Sequence, residues 1–246
     1  MDRMLYVAMT GARETLRAQT ANNHNLANAS TTGFRADLQA FQARQVTGDG
    51  YASRVYATAA TTGFDATVGA MMTTGRDLDV AVQGDGFIAV QSPDGREAYT
   101  RAGDLRVDTS GQLRTGTGLA VLGEAGPVSV PPHASLLIAS DGTVSIVPLG
   151  QGPETKAEVG RIKLVNPATE DLEKGSDGLF RMKDGSDAPP DATASLAAGV
   201  LEGSNVNVAD AMVNMIELSR RFDMQVRAMK SAEDNGAASA RLLSMR

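Results

Sequence analysis

Near its C-terminus the chain carries an apolar stripe longer than any small domain can bury. Val208, Ala211, Met215, Leu218, Phe222, Gln225, Met229, Ala232, Gly236, Ser239 and Leu243 alternate steps of three and four without a break. Such spacing is the seam of a coiled coil. Asn207 stands at the N-cap position, with Asp210 three residues on in the capping-box place. At 1.5 Å of rise per residue, a helix over 208–243 is a rod of about 55 Å. Its stripe needs a partner, and the other end of the same chain supplies a candidate.

At that other end Leu5, Met9, Ala12, Leu16, Gln19, Asn23 and Leu26 also step by four and three, and no Gly or Pro interrupts residues 12–32. Polar or small residues sit in both seams (Gln19, Asn23, Gln225, Gly236, Ser239). They fit either imperfect amphipathicity or faces that also pack against other subunits. Between the ends, residues 46–75 are rich in Thr, Ala and Gly and read as an extended connector. From residue 78 onward short apolar runs such as 78–82, 86–91, 97–101, 119–122 and 143–147 alternate with turn pairs such as Asp141–Gly142 and Asp177–Gly178. Asp-Gly pairs accept the positive φ of tight hairpins. The fold class expected is α+β. Its N- and C-terminal helices pair as a coiled coil, with an all-β, hairpin-rich outer domain inserted between them. The expected limits are 1–34 and 203–246 for the helical core, 35–76 for the connector and 77–202 for the β domain.

Composition removes several function classes. The chain has 246 residues and a net charge of −6, with 23 scattered basic residues and no basic stripe interleaved with aromatics. Nucleic acid is a poor partner for such a surface. Cysteine is absent, which excludes thiol chemistry, disulfides and Cys-based metal sites. No run approaches 18 apolar residues, so no membrane insertion is expected. The first 20 residues lack the order of a Sec signal peptide. The two histidines, His24 and His133, are far apart in the chain, and no HExxH, GxSxG or P-loop occurs. Asp77 and Asp79 begin like a calcium loop, but Val82 stands where that loop needs Gly. No catalytic, cofactor-binding or metal-binding residue is therefore expected. The acidic middle leaves one enzymatic alternative, a murein hydrolase working through a carboxylate pair.

Three blocks carry a resemblance. Asn25–Phe34 reads NLANASTTGF; Leu78–Phe87 reads LDVAVQGDGF, followed by Tyr99–Gly103; Gly203–Asn207 reads GSNVN, followed by Arg220-Arg221-Phe222. In order and spanning nearly the whole chain, they resemble the signatures of the bacterial flagellar rod and hook family. The matching positions are Asn25, Leu26, Asn28, Thr31, Gly33, Phe34, Gly84, Gly86, Phe87, Ser204, Asn205 and Asn207. Ala29–Leu38, Gly199–Glu202 and Leu242–Met245 look like its proximal rod member, while His24 and Val208 depart from the usual pattern.

The resemblance implies a structural, non-enzymatic subunit of the proximal rod. Its terminal helices would line the export channel, in a helically assembled shaft that crosses the periplasm and transmits torque. The implied partners are inner proximal rod subunits, the distal rod protein, copies of itself and, during secretion, the flagellar type III export apparatus. A distal rod or hook-type axial subunit is the nearest alternative, and a soluble coiled-coil adaptor a further one. The helix seams expected to pair are Leu5, Met9, Ala12, Leu16 and Leu26 against Val208, Ala211, Met215, Leu218, Phe222, Met229 and Leu243.

Overall fold

The computed structural model describes residues 3–45, 55–150, 152 and 155–244. It has two long helices and many antiparallel strands, an α+β chain. The chain divides into two compact units: Met1–Ala29, Asp37–Phe64 and Val206–Arg246 form the first, Ser30–Ala36 and Asp65–Asn205 the second.

The first unit is helical with an added hairpin. Helix α1 spans Arg3–Ala27 and α2 spans Val208–Ser244. Asn207 caps α2, its Oδ1 accepting the Ala209 and Asp210 N–H groups at 3.0 and 3.4 Å. The helices pack on each other in opposite directions. Asn22 Nδ2 donates to the Ala211 carbonyl at 2.8 Å, and Gly11 lies against the Gln225 side chain. With 25 and 37 residues, the helices are about 37 and about 55 Å long. From those two contacts, the start of α1 lies beside residues close to Ala232. The rest of α2 runs on without α1 alongside it.

The sequence reading makes residues 35–76 an extended connector; the structure pairs much of it instead. Strands β1 (Asp37–Gln45) and β2 (Val55–Phe64) form an antiparallel ladder from Asp37↔Phe64 to Gln45↔Val55, with one slip at Leu38/Gln39. Residues 46–54 of the expected connector lie outside the described residues. The pairing has a local cause. Asn25 Nδ2 donates to the Asp37 carbonyl at 3.0 Å and Asn25 Oδ1 accepts the Asp37 N–H at 2.8 Å. His24 Nδ1 lies 2.6 Å from Asp37 Oδ2. The end of α1 thus anchors the first residue of β1, and pairing satisfies the backbone groups of the Thr/Ala-rich stretch. Both strands group with the helices, whereas residues 30–34, expected in the helical core, group with the β unit, as do 35–36 of the expected connector.

The second unit is all β. Strands β3 (Met71–Thr73), β4 (Val80–Gln83), β5 (Phe87–Gln91) and β6 (Glu97–Thr100) open it. The largest sheet runs in the order Leu172–Lys174, Phe180–Met182, β6, β5, Ala120–Gly123, Leu113–Thr115, Leu105–Val107. A three-stranded sheet contains His133–Ile138, Thr143–Pro148 and Ala157–Arg161. The short strands Ser195–Ala198 and Val200–Glu202 pair with β4 and β3. Val80, Val82, Ile88, Val90, Leu105, Leu113 and Val121 form the centre of the core. In β4 and β5 consecutive residues are buried, because these strands are covered on both faces.

Candidate assembly interface

On α2 the covered residues lie in the part of the expected seam from Ala211 to Ala232, whereas Gly236 and Ser239 are exposed. Ala211 and Leu218 are buried, and Met215, Phe222 and Met229 are half-buried. Val208 is exposed at the start, and Leu243 lies on α2 with its side chain outside the described residues. On α1 the covered face is displaced from the one expected. Ala8, Ala12, Thr15 and Ala18 are buried and Leu26 is half-buried, whereas Leu5, Met9 and Leu16 are exposed. Small side chains at Ala8, Gly11 and Ala12 let the helices approach closely. Residues 4–9 read MLYVAM, so apolar side chains surround this turn and periodicity alone does not select the face.

A second apolar surface therefore remains on the helices. Among the described residues 18 large apolar side chains are exposed, and 12 of them lie on α1 and α2. On α1 they are Met4, Leu5, Tyr6, Met9 and Leu16; on α2 they include Met212, Val213, Ile216, Met224 and Leu242, the last 72% exposed. Large exposed apolar side chains in such number on two paired helices make this surface a candidate interface.

In the β unit, parts of the three sequence blocks (Gly33–Phe34, Gly84–Phe87 with Arg101, and Gly203–Asn205) meet around a buried ionic centre that the sequence reading did not name. Glu202 lies between two guanidinium groups: Arg35 Nη1 is 2.5 Å from Oε1 and Arg101 Nη1 is 3.0 Å from Oε2. All three side chains are at most 2% exposed. Glu202 Oε1 also accepts the Gly69 N–H at 2.9 Å, and the Glu202 carbonyl accepts the Gly33 N–H at 2.8 Å. Burial pulls the Arg35 guanidinium below its ordinary value, while the Glu202 carboxylate opposes that shift. Arg101 Nη2 donates to the Gly84 carbonyl, and the guanidinium lies 5.2 Å from the centre of the Phe87 ring.

The block residues hold this centre in shape. Gly33 has φ +67°, and a Cβ there would meet the Arg101 backbone carbon at 2.2 Å, so only glycine fits. Phe34 is buried under the Lys174 ammonium, 3.9 Å from its ring centre. Gly86 packs against the Val165 carbonyl. Asn205 ties three strands of chain: its Oδ1 accepts the Ala36 N–H at 2.8 Å, and its Nδ2 donates to the Asp65 and Thr67 carbonyls, each at 3.0 Å. The Thr31 carbonyl accepts the Phe34 N–H, while Ser204 is half-buried beside Asn205. Asn25 and Asn28 act in the helical unit, Asn28 Nδ2 donating to the His24 carbonyl at 2.9 Å. A sequence signal for the centre existed: Arg35, Arg101 and Glu202 each stand inside or beside a quoted block, where a charged residue among Gly and aromatics is unusual.

Several acidic residues of the β unit serve their own turns. Asp108, Asp141, Asp184 and Asp191 each accept the backbone N–H and the hydroxyl of the Ser or Thr two residues on. These bonds hold their carboxyls below the usual carboxylate range. Among the described residues no grouping of His, Asp and Glu could hold a metal ion. No described helix is long and apolar enough to cross a membrane.

Residues 81–146 match the family model for the flagellar hook protein FlgE/F/G D1 domain, and residues 197–242 match that for the C-terminal part of flagellar basal body rod FlgEFG proteins. The chain is 47% identical to the flagellar basal-body rod protein FlgF of Escherichia coli (strain K12) and 44% identical to that of Salmonella typhimurium, covering 100% of both chains in each case. It is 34% identical to the FlgF of Caulobacter vibrioides over 98% of each chain.

Proposed function

This chain belongs to the flagellar basal-body rod family, and from that membership we propose how it builds a shaft. It is a structural subunit of the proximal rod in the flagellar basal body, assembled with other axial proteins. In our reading α1 and α2 pair as an antiparallel coiled coil within the subunit, through Ala8, Ala12, Thr15 and Ala18 against Ala211, Met215, Leu218, Phe222 and Met229. The apolar side chains left outside that pair then pack on neighbouring subunits. Those contacts join unlike patches, so they propagate as a helix instead of closing as a dimer. Each large apolar side chain covered contributes about 1.5–3 kcal/mol, and several per contact sum to a joint that resists torque.

The remaining assignments belong to the same reading. The helices line the channel. The neighbours are inner proximal rod subunits, the distal rod protein and further copies of this chain. The rod crosses the periplasm, and the export apparatus handles the chain before assembly. The role is mechanical, not catalytic. The observation that carries this reading is the apolar surface uncovered on both helices. Electron microscopy of basal bodies from a strain lacking the gene tests it. Bodies that stop before the distal rod are expected; complete rods in that strain would place the chain elsewhere in the axial structure.

A further inference from the structure

The β unit is built from two stretches of chain, and the last of it to be synthesised is what closes it. Residues 30–36 enter from one end of the sequence and 195–205 from the other. Val200–Glu202 pairs with β3, and Ser195–Ala198 pairs with β4. Among the described residues neither β3 nor β4 shares a sheet with any other strand. Gly33 and Ala36 are held by Glu202 and Asn205, through the bonds Gly33 N–H to the Glu202 carbonyl and Ala36 N–H to Asn205 Oδ1.

Charge makes this closure conditional. Arg35 and Arg101 are both buried, and both face the one Glu202 carboxylate. Without that carboxylate two like charges would share a pocket from which water is excluded, and neither could be desolvated. The turn at 30–36 and the stretch around Arg101 therefore cannot settle before residue 202 arrives. Strands β5 and β6 carry no such condition, because their ladders use each other and residues 120–121, 164–165 and 180.

We propose that Arg35, Glu202 and Arg101 form a closure lock. Chains are synthesised from the N-terminus, so segments 30–36, 71–73, 80–83 and 101–103 stay open until about residue 205 has been delivered. They then close in one step. The lock couples completion of the β unit to presence of the segment that leads directly into α2.

Pulsed hydrogen exchange during refolding of the full-length chain from urea tests this. The amides of Gly33, Ala36, Thr74 and Gly199, which donate to Glu202, Asn205, Gly199 and Asp79, should gain protection at one shared rate. Glu202→Gln, which keeps the shape and removes the charge, should slow that rate at least tenfold at all four positions. The proposal fails if Gly33 and Thr74 become protected tenfold faster than Gly199 in the wild-type chain. It also fails if Glu202→Gln slows only the amides of 200–202. Should the variant not refold, the wild-type rates decide alone.

Discussion

The two units of this molecule use burial in opposite ways. In the β unit the large aliphatic residues are inside: Val80, Val82, Ile88, Val90, Leu105 and Leu113 are fully covered. In the helical unit the covered positions are mostly small, Ala8, Ala12, Ala18, Ala211 and Ala232 with Leu218, while Met9, Ile216, Met224 and Leu242 stand in solvent. The β unit completes its core with its own residues. The helical unit uses its small residues for close approach within the chain and leaves its large ones uncovered, the surface that the proposed function assigns to neighbouring subunits. Charge differs in degree: the helical unit buries the Glu14 carboxylate, but its partners Arg13 and Arg17 are exposed. The β unit buries three ionised side chains at one point. The helical surface carries solvated pairs such as Arg221–Glu217, which contribute little.

The largest test of this contrast is Glu202→Ala. Removing one partner of a buried ionic cluster costs about 3–5 kcal/mol, and the loss should fall on the β unit. Replacing all three members together by apolar residues (R35M, R101M, E202L) should cost far less, because no charge is left unpaired. Urea unfolding followed by near-UV dichroism, which reports buried Tyr99, distinguishes the two. Equal losses in both variants would mean that the centre acts through packing alone.

Phe222→Ala is the matching test in the helical unit. Full core truncations of Phe cost about 3–5 kcal/mol, and Phe222 is only half-buried, so about 2 kcal/mol is expected. Helical dichroism at 222 nm should melt earlier while the near-UV transition of the β unit stays in place, and swimming should be lost. Normal motility of this variant would argue against the seam.

Acid should separate the units further. Hydrogen bonds from Arg96, Thr143, Arg181, Ser186 and Thr193 hold Asp94, Asp141, Asp177, Asp184 and Asp191 below the usual carboxylate range. A lowered folded value means stability that is complete above the unfolded value near about 4, and that is lost as pH falls through the folded values. The β unit should therefore hold constant from pH 7 to about 4 and weaken below that. A near-UV melting point unchanged down to pH 2 would show that these turns are energetically idle.

The smallest effect on the monomer, and the sharpest on function, is expected from Ile216→Ser. Exposed substitutions away from special features shift stability by less than about 0.5 kcal/mol. The melting curve should not move, yet rods should fail to assemble in cells carrying the variant. A variant that swims normally would show that this face meets no neighbour.

Legibility in the sequence followed the range of the interaction. The α2 seam from Ala211 to Met229, the Asn207 cap and the Asp-Gly turns each depend on residues a few positions apart, and each was readable. The short runs at 86–91 and 97–101 read as strands, and β5 and β6 lie there. The hairpin of β1 and β2 was not readable, because its small Thr and Ala residues carry no strong alternation and its anchor is Asn25, outside the strands. Strands Ser195–Ala198 and Val200–Glu202 were missed because an Ala-rich stretch after Pro189–Pro190 has no strand propensity of its own; pairing with β3 and β4 makes them.

By itself the amino-acid sequence determined the two long helices, the capped start and covered face of α2, the excess of apolar surface over what one subunit can hide, and the turn-rich β region. All are set by spacing along the chain. Only the tertiary structure decided which face of α1 is covered, because its first turns are apolar nearly all round and the fit of Ala8 and Ala12 against α2 makes the choice. It alone also brought Arg35 and Arg101 to Glu202, since a carboxylate 101 positions from its guanidinium partner is found only when the intervening chain has folded.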